Sequence, residues 1–314
     1  MKKIKISVVI PVYNNEETIF EIYKRIKKVF KKIKLDYEIV FVDDNSPDKS
    51  YNKILKICQS DKKVICVKLT KNFGQRFATM AGLKYSTGDF ITNLDADLQD
   101  PPELIEKIVY SLKKDNQNIV IAARKSVDES LFRKFTSYFQ HWVMNNLIKD
   151  YPKEGFTVWC ISRKLANKII KRGNNISLIP LEILNYGYNY SVIYYERKKR
   201  IFGKSQWSFW SRIDLGIEMM TLSTFSILRY CLYFGTFLLI ASFIYISVIL
   251  FTFLKGNTPF EGYSPIIMIS LFLGGLNIFV LGIIAEYMSV ILKELRSYDK
   301  YNVKTVINNS KKKF

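Results

Sequence analysis

The segment NLDADLQDPPE, residues 93–103, places three aspartates directly after a mainly apolar run. Asp95 and Asp97 are two residues apart, so both side chains can enter one cleft if the strand ends between them. Carboxylate oxygens suit Mg²⁺ or Mn²⁺, which in proteins usually bridge to substrate phosphates. An isolated Asp-x-Asp is more typical of a solvated turn. Asp100 is predicted to cap the helix that the next two prolines begin, so that only Asp95 and Asp97 would belong to a site. The elements around the segment have to distinguish these interpretations.

Polar side chains also follow other apolar runs of the chain. Tyr13 follows the first run, Asp44 the second and Arg124 the fifth. Tyr13 offers a ring face for stacking, and Asp44 can accept hydrogen bonds from a base or a ribose. Guanidinium groups bind phosphate oxygens through paired hydrogen bonds, which makes Arg124, Arg133 and Arg200 candidates for that role. These residue types fit a site for a phosphorylated ligand.

Short β-rich runs alternate with amphipathic stretches between residues 6 and 123. The predicted strands are 6–12, 37–42, 64–69, 90–94 and 119–122, and the predicted helices are 16–34, 50–59, 75–85 and 102–114. Apolar strands separated by helices indicate an α/β fold with a mainly parallel sheet, and ligands bind such sheets at the carboxyl ends of the strands. The glycine signatures of dinucleotide-binding and P-loop folds are missing from the sequence.

Two long apolar runs near the carboxyl end predict two transmembrane helices. Residues 230–254 contain no charged side chain, and residues 266–285 are almost as apolar. Either run is long enough, at about 1.5 Å per residue, to cross a hydrocarbon core about 30 Å thick. Lysine and arginine lie mainly outside this pair, so both termini are predicted to be cytoplasmic. The chain then has four parts: 1–195, a cytoplasmic α/β domain; 196–229, a basic and aromatic interfacial segment; 230–292, the two spans with a short external loop; and 293–314, a basic cytoplasmic tail.

The formal net charge of +20 over 314 residues predicts an anionic partner. The basic, tryptophan-containing segment before the first span favours an anionic membrane surface. No nucleic-acid-binding module is recognisable, so nucleic acid is not an expected partner. The four cysteines form no CxxC pair and the chain has one histidine, which argues against a zinc site or a disulfide framework.

Six motifs give the chain a family resemblance. They are SVVIPVYNNEETI (7–19), VDDNSPD (42–48), LTKNFGQRFATMAGL (69–83), GDFITNLDADLQDPPELI (88–105), RIFGKSQWSF (200–209) and LGIIAEYMSVILKE (281–294). Together they resemble family 2 glycosyltransferases, and within that family the polyprenyl-phosphate group that includes bactoprenol glucosyltransferases and dolichol-phosphate mannose synthases. The resemblance extends over nearly the whole chain, and NLDADLQDPPEL is its most specific part.

The resemblance implies a GT-A (Rossmann-like) nucleotide-sugar domain and an inverting, metal-dependent transfer of one sugar. The donor would be a UDP- or GDP-linked sugar, the acceptor a polyprenyl phosphate, the cofactor Mg²⁺ or Mn²⁺, and the location the cytoplasmic face of the cell (inner) membrane. Some relatives form tetramers, so a homo-oligomer is expected.

The same resemblance assigns roles to individual residues. The nucleotide would be held by Pro11, Tyr13 and Asp44. The donor and metal site would be formed by Asp95, Ala96, Asp97 and Gln99, with Asp95 and Asp97 as metal ligands. Those that would bind the phosphates of donor and lipid are Arg124, Arg133, Ser137 and Arg200. The residues expected to take part in catalysis are Asp95, Asp97 and Arg133.

The sequence departs from the family pattern at three positions. Asn15 stands where relatives often carry Glu, and Gln206 stands where many carry a basic residue. Thr157 stands where an Asp is often found. A phosphate acceptor is already ionised at neutral pH and needs no general base, so the missing Asp favours a lipid phosphate over a sugar hydroxyl. Two alternatives stay open: a membrane glycosyltransferase that acts on a lipid or glycan hydroxyl, and a catalytically silent membrane scaffold.

Overall fold

The computed structural model describes residues 4–115, 118–124, 152, 156–172, 179–197 and 301–308, together with single positions between 251 and 291. The strands in these ranges are β1 (Lys5–Val12), β2 (Asp36–Asp43), β3 (Val64–Leu69), β4 (Phe90–Asn93), β5 (Ile119–Arg124), β6 (Phe156–Ser162), β7 (Tyr190–Tyr195) and β8 (Val303–Asn308). The helices are α1 (Ile19–Ile33), α2 (Ser50–Ser60), α3 (Gln75–Tyr85), α4 (Leu104–Asp115), α5 (Arg163–Arg172) and α6 (Ile179–Asn185). Every strand and helix predicted between residues 6 and 123 is present, with small differences at the ends.

The strands form one sheet in the order β7-β5-β6-β4-β1-β2-β3-β8. Strand β1 is parallel to both β2 and β4, β2 is parallel to β3, and β5 is parallel to β7. Strand β6 is antiparallel to its neighbours β4 and β5, and β8 is antiparallel to β3. The prediction of a mainly parallel α/β sheet is confirmed, and the antiparallel strands make it a mixed sheet.

Both faces of the sheet are buried against apolar side chains. Successive residues of a strand point to opposite faces, so one strand contributes to both apolar clusters. In β1, Ile6, Val8 and Ile10 belong to one apolar cluster, whereas Val9 belongs to the other. Helix α3 packs so closely on β1 that a Cβ at Gly82 would lie 2.2 Å from a methyl carbon of Val9. This close approach leaves no room for a side chain at position 82.

The chain divides into two compact units, of which one comprises Met1–Ser208 with Tyr298–Phe314 and the other Phe209–Ser297. The segment 293–314 is therefore more than the predicted basic tail, because it contributes strand β8 to the sheet. Sequence pattern gave no indication of this strand, since its partner β3 lies more than two hundred residues earlier in the chain.

The predicted spans 230–254 and 266–285 lie largely outside the described residues. In the part of the chain that is described, no helix combines the length and apolar character needed to cross a membrane. The described positions between 266 and 291 are helical, and several carry exposed large apolar side chains, including Ile266, Leu281 and Met288.

Glu38 is a buried carboxylate at the edge of the sheet where β1 and β2 begin. The Lys5 Nζ donates to its Oε2 at 2.5 Å, and the Ser7 hydroxyl donates to its Oε1 at 2.7 Å. The hydroxyl and the backbone N–H of Thr87 donate as well. Burial by itself would raise the pKa of Glu38, but these hydrogen bonds outweigh it and hold the pKa below its ordinary value.

We expect Glu38→Gln to lower the free energy of unfolding by about 1–3 kcal/mol near neutral pH, because buried donors lose a charged acceptor. Since the folded state has the lower pKa, the stabilisation is present above the unfolded pKa, near 4.5, and is lost as the pH falls through the folded value. The difference in free energy of unfolding between variant and wild type, measured by urea unfolding, should therefore shrink as the pH falls below the unfolded pKa. Glu106→Gln, in an exposed pair with Lys32, is the control, with a change of less than about 1 kcal/mol. A difference that is independent of pH would contradict this account.

Candidate functional site

Three parallel strands end at one edge of the sheet and bring together residues that the sequence predicted for the site. The last residues of β1 and β2, Val12 and Asp43, are paired in the register, and β4 ends on the other side of β1. The residues that follow are Tyr13 after β1, Asp44 after β2 and Asp95 after β4. The carboxyl edge of the sheet is therefore the candidate functional site.

Each connection at this edge contains a residue with a positive φ. These residues are Asn14 after β1, Asn45 after β2, Gly74 before α3 and Leu98 after β4, with φ values of 57°, 54°, 93° and 59°. Asparagine and glycine adopt this backbone readily, whereas a leucine pays a steric cost. Strained backbone of this kind is concentrated at ligand sites. The turn after Asp97 is thus held in place by its surroundings.

The carboxylate of Asp44 fixes the loop that leads into α3. Its Oδ1 accepts the N–H of Phe73 and its Oδ2 the N–H of Gly74, both at 2.8 Å. Asp44 is buried, and burial raises its pKa despite these two hydrogen bonds. Each carboxylate oxygen retains a second lone pair, so Asp44 can hold the loop and also accept a hydrogen bond from a ligand.

Asp95 lies among other carboxylates at the end of β4. Burial, together with the charges of Asp100 and Asp97, raises the pKa of Asp95 to about 7, against the opposing charges of two nearby arginines. Gln75, the first residue of α3, donates its side-chain amide to Asp95 Oδ1 at 2.6 Å. A cation bound here would relieve the repulsion among the carboxylates.

The neighbours of Asp95 are held by hydrogen bonds within the site. Asp97 is buried, and its Oδ1 accepts the N–H of Gln99 at 3.0 Å. The carbonyl of the buried Ala96 accepts the hydroxyl of Thr18 at 2.5 Å, which ties the segment to the start of α1. Gln99 itself is half-buried.

The predicted nucleotide residues at the end of β1 differ in exposure. Pro11 is buried and is paired with Val42 of β2 in the register. Tyr13 is half-buried, and its N–H donates to the side chain of Asn15 at 3.4 Å. Of these two, Tyr13 is therefore the one with side-chain surface for a ligand.

The third carboxylate, Asp100, belongs to the site and does not cap a helix. It is fully buried and accepts the hydroxyl of Tyr195 at 2.5 Å. Its Oδ1 also lies 3.4 Å from Arg197 Nε. Helix α4 begins only at Leu104, whose N–H donates to the carbonyl of Pro101. The prediction that Asp100 caps this helix was wrong because distant strands, β6 and β7, enclose the turn.

Arg124 and Thr157 adjoin this carboxylate. The Arg124 Nη2 donates to the hydroxyl of Thr157 at 3.3 Å, and that hydroxyl lies 3.5 Å from Asp100 Oδ2. Among the described residues, the buried Nε of Arg124 has no hydrogen-bond partner. Burial of the Tyr195 ring and the charge of Asp100 raise the pKa of Tyr195 to about 12, so this side chain remains a hydroxyl donor.

The sequence did not indicate several residues of this site. Tyr195 is the last residue of β7, and Arg197 follows this strand. Strand β7 was not predicted, although its run YSVIYY is rich in β-forming residues. Gln75 opens a predicted helix, but only the packing of α3 places it beside Asp95. Asn93 links β4 to β6. Its side-chain amide donates to the carbonyl of Thr157, and its amide oxygen accepts the N–H of Trp159, both at 2.9 Å. The predicted residues Arg133, Ser137 and Arg200 lie outside the described residues.

Asp95 and Asp97 are the residues that could hold a divalent cation. Within the described ranges, no three or more His, Cys, Asp or Glu side chains are arranged as a complete metal site. Mg²⁺ is commonly held by only one or two carboxylates, with the remaining ligands from water and substrate phosphates. The two carboxylates, and the burial and carboxylate repulsion that raise the pKa of Asp95, fit a site of this kind, which a phosphorylated ligand would complete.

A mainly parallel α/β sheet with carboxylates at its carboxyl edge is the architecture of GT-A enzymes. Residues 7–170 match the family model Glycosyl transferase family 2. The chain is 34% identical over 313 residues to the bactoprenol glucosyl transferase of Shigella phage SfX, covering 96% of this chain and 99% of that protein. The chain therefore belongs to glycosyl transferase family 2 and is a glycosyltransferase.

Two further comparisons concern a second relative and a solved structure. The prophage bactoprenol glucosyl transferase homolog of Escherichia coli strain K12 is 33% identical over 313 residues, with 96% of this chain and 99% of that protein covered. The crystal structure of glucosyl-3-phosphoglycerate synthase from Mycobacterium tuberculosis with Mn²⁺ and UDP-glucose is 16% identical and covers 69% of this chain and 77% of that chain, with a TM-score of 0.47.

Proposed function

We propose that this glycosyltransferase moves one sugar from a UDP- or GDP-linked donor to a polyprenyl phosphate, with inversion and with Mg²⁺ or Mn²⁺. The observation that carries the proposal is the placement of Asp95 within reach of the charges of Asp97 and Arg124, which offers carboxylates to a cation and a guanidinium to a phosphate. Similarity to a bactoprenol glucosyl transferase over nearly the full length of both chains supports the lipid acceptor.

On the donor side, the residues at the ends of β1, β2 and β4 would share the nucleotide sugar. Asp44 would accept hydrogen bonds from the base or ribose, and the ring of Tyr13 would stack against the base. Asp97 and Asp95 would hold the cation, which when bound neutralises the diphosphate as it leaves. Gln75 would keep Asp95 in orientation through its hydrogen bond.

On the acceptor side, Arg124 would orient the lipid phosphate for attack. A phosphate oxygen is ionised near neutral pH and attacks without a general base, whereas a hydroxyl acceptor needs one. Thr157 cannot serve as that base, and the oxygens of Asp100 are already in contact with Tyr195 and Thr157. The composition of the site therefore favours a phosphate over a hydroxyl.

We further propose that residues 230–292 cross the cell membrane twice, with both termini in the cytoplasm. The return of the chain to the catalytic sheet as β8 supports an even number of crossings, because β3 and β8 must lie on the same side of the membrane. The exposed apolar side chains of the helical positions from 266 to 291 support a lipid environment. The homo-oligomer implied by the resemblance stays a prediction.

Purified full-length protein in nanodiscs, given Mn²⁺, undecaprenyl phosphate and a panel of UDP- and GDP-sugars, is expected to form a lipid-linked monosaccharide with one preferred donor. The product should be a phosphodiester that mild acid cleaves. Omission of the lipid phosphate is the control. A product resistant to mild acid, formed on a lipid hydroxyl, would contradict the phosphate acceptor, and no transfer or donor hydrolysis with any sugar would favour the silent scaffold.

A further inference from the structure

Strand β8 covers one edge of the catalytic sheet, although it comes from the far end of the chain. It is antiparallel to β3, with Cys66 opposite Ile307 and Val67 opposite Val306. The Cys58 thiol of α2 also donates to the carbonyl of Ile307 at 3.3 Å. On the side of β3 away from β2, the neighbouring strand thus comes from the segment that follows the second compact unit in the chain.

The residues just before β8 contact the loop between β3 and α3. The N–H of Thr70, directly after β3, donates to the carbonyl of Asn302 at 3.0 Å. The ring of Tyr301 lies 6.3 Å from the ring of Phe77, centre to centre, at an angle of 37°. Tyr301 and Phe73 are both half-buried against the same apolar cluster. The segment 70–77, which comprises this loop and the first residues of α3, therefore packs against the segment 301–303.

The segment 70–77 carries groups that organise the donor side of the site. Its N–H groups at Phe73 and Gly74 hold both oxygens of Asp44, and its Gln75 side chain holds Asp95. Gly74 has a φ of 93°, a conformation that glycine adopts without the steric cost of a side chain. A shift of the loop would thus move the partners of Asp44 and Asp95 together.

We propose that Tyr301 is a positioning residue for the nucleotide sugar. Its ring and the backbone of Asn302 fix the segment 70–77, and through that segment they set the hydrogen bonds of Asp44 and Asp95. The donor site is then completed by the segment that follows the residues proposed to cross the membrane. The inference rests on the proposed use of Asp44 and Asp95 for the nucleotide sugar.

The test compares Tyr301→Ala and Tyr301→Phe in the full chain. Loss of the ring should raise the KM for the donor about three- to tenfold, a factor typical of one aromatic contact, with kcat and the KM for undecaprenyl phosphate changed less than about twofold. Phenylalanine keeps the ring, so Tyr301→Phe should raise the KM for the donor less than Tyr301→Ala does. Lys304→Ala, at an exposed position of β8, is the matched control and should leave all three constants unchanged.

A second measurement does not depend on transfer. Hydrogen exchange of the Phe73 and Gly74 amides should be about three- to tenfold faster in Tyr301→Ala, because these N–H groups depend on the loop position. A donor KM equal to that of wild type, or equal losses with both substrates, would overturn the role of Tyr301. Absence of donor turnover in the wild-type chain would instead reject the proposed function, while faster exchange in Tyr301→Ala would still support the loop contact.

Discussion

Asp97→Asn is expected to slow sugar transfer by about two to three orders of magnitude. Asparagine has nearly the shape of aspartate, and its amide oxygen can still accept the Gln99 N–H that Asp97 accepts at 3.0 Å. The substitution therefore keeps the buried turn and removes mainly one negative charge. A cation that joins this side chain to a diphosphate depends on that charge.

Initial rates at saturating donor and acceptor measure the loss, and Mn²⁺ titration with a spectroscopic readout of free Mn²⁺ separates metal binding from chemistry. The apparent Kd for Mn²⁺ should rise at least about tenfold. Asp36→Asn is the matched control, because Asp36 lies in an exposed pair with Lys63 where β2 begins, and its activity should change less than about twofold. Unchanged Mn²⁺ affinity together with near-normal transfer in Asp97→Asn would remove Asp97 from the metal site.

Asp100→Asn is expected to reduce transfer about a hundredfold, a loss typical of displaced catalytic geometry. The carboxylate is fully buried, accepts the Tyr195 hydroxyl at 2.5 Å and lies 3.4 Å from Arg197. Without its charge, the arginines beside Asp100 lose the anion that orients them. We also expect the free energy of unfolding to fall by about 1–3 kcal/mol, because the remaining partners are left imperfectly paired.

The pattern of kinetic constants distinguishes this effect from that of Asp97→Asn. For Asp100→Asn, the apparent Kd for Mn²⁺ should stay within about threefold of wild type, while kcat/KM for the lipid phosphate carries most of the loss. Tyr195→Phe, which removes one hydroxyl and leaves the carboxylate, should show a much smaller loss. Wild-type kcat/KM for the acceptor in a folded Asp100→Asn protein would show that Asp100 does not position the arginines.

Much of the first half of the fold could be predicted from the sequence. The strands of residues 6–123 are mainly apolar, and the helices between them repeat apolar side chains at helical spacing, as in Ile19, Ile22 and Ile26 of α1. Such patterns are local, so they can be recognised without knowing which segments pair. The order of strands and helices then places Tyr13, Asp44 and Asp95 at one edge.

The role of Asp100 could not be predicted in the same way. In the sequence it precedes two prolines and a helix, which is the usual setting of a helix cap. In the structure its partners are Thr157 of β6 and Tyr195 of β7, 57 and 95 residues further along the chain. Burial by these strands, rather than local sequence, determines what the carboxylate does.

By itself, the sequence determined the alternation of strands and helices, the acidic segment at the end of β4 and the family resemblance, because each depends on residues that are neighbours in the chain. The tertiary structure alone decided the antiparallel positions of β6 and β8, the hydrogen bond from Gln75 to Asp95 and the burial of Asp100. These features depend on the pairing of distant segments, which is set by the joint packing of side chains on both faces of the sheet.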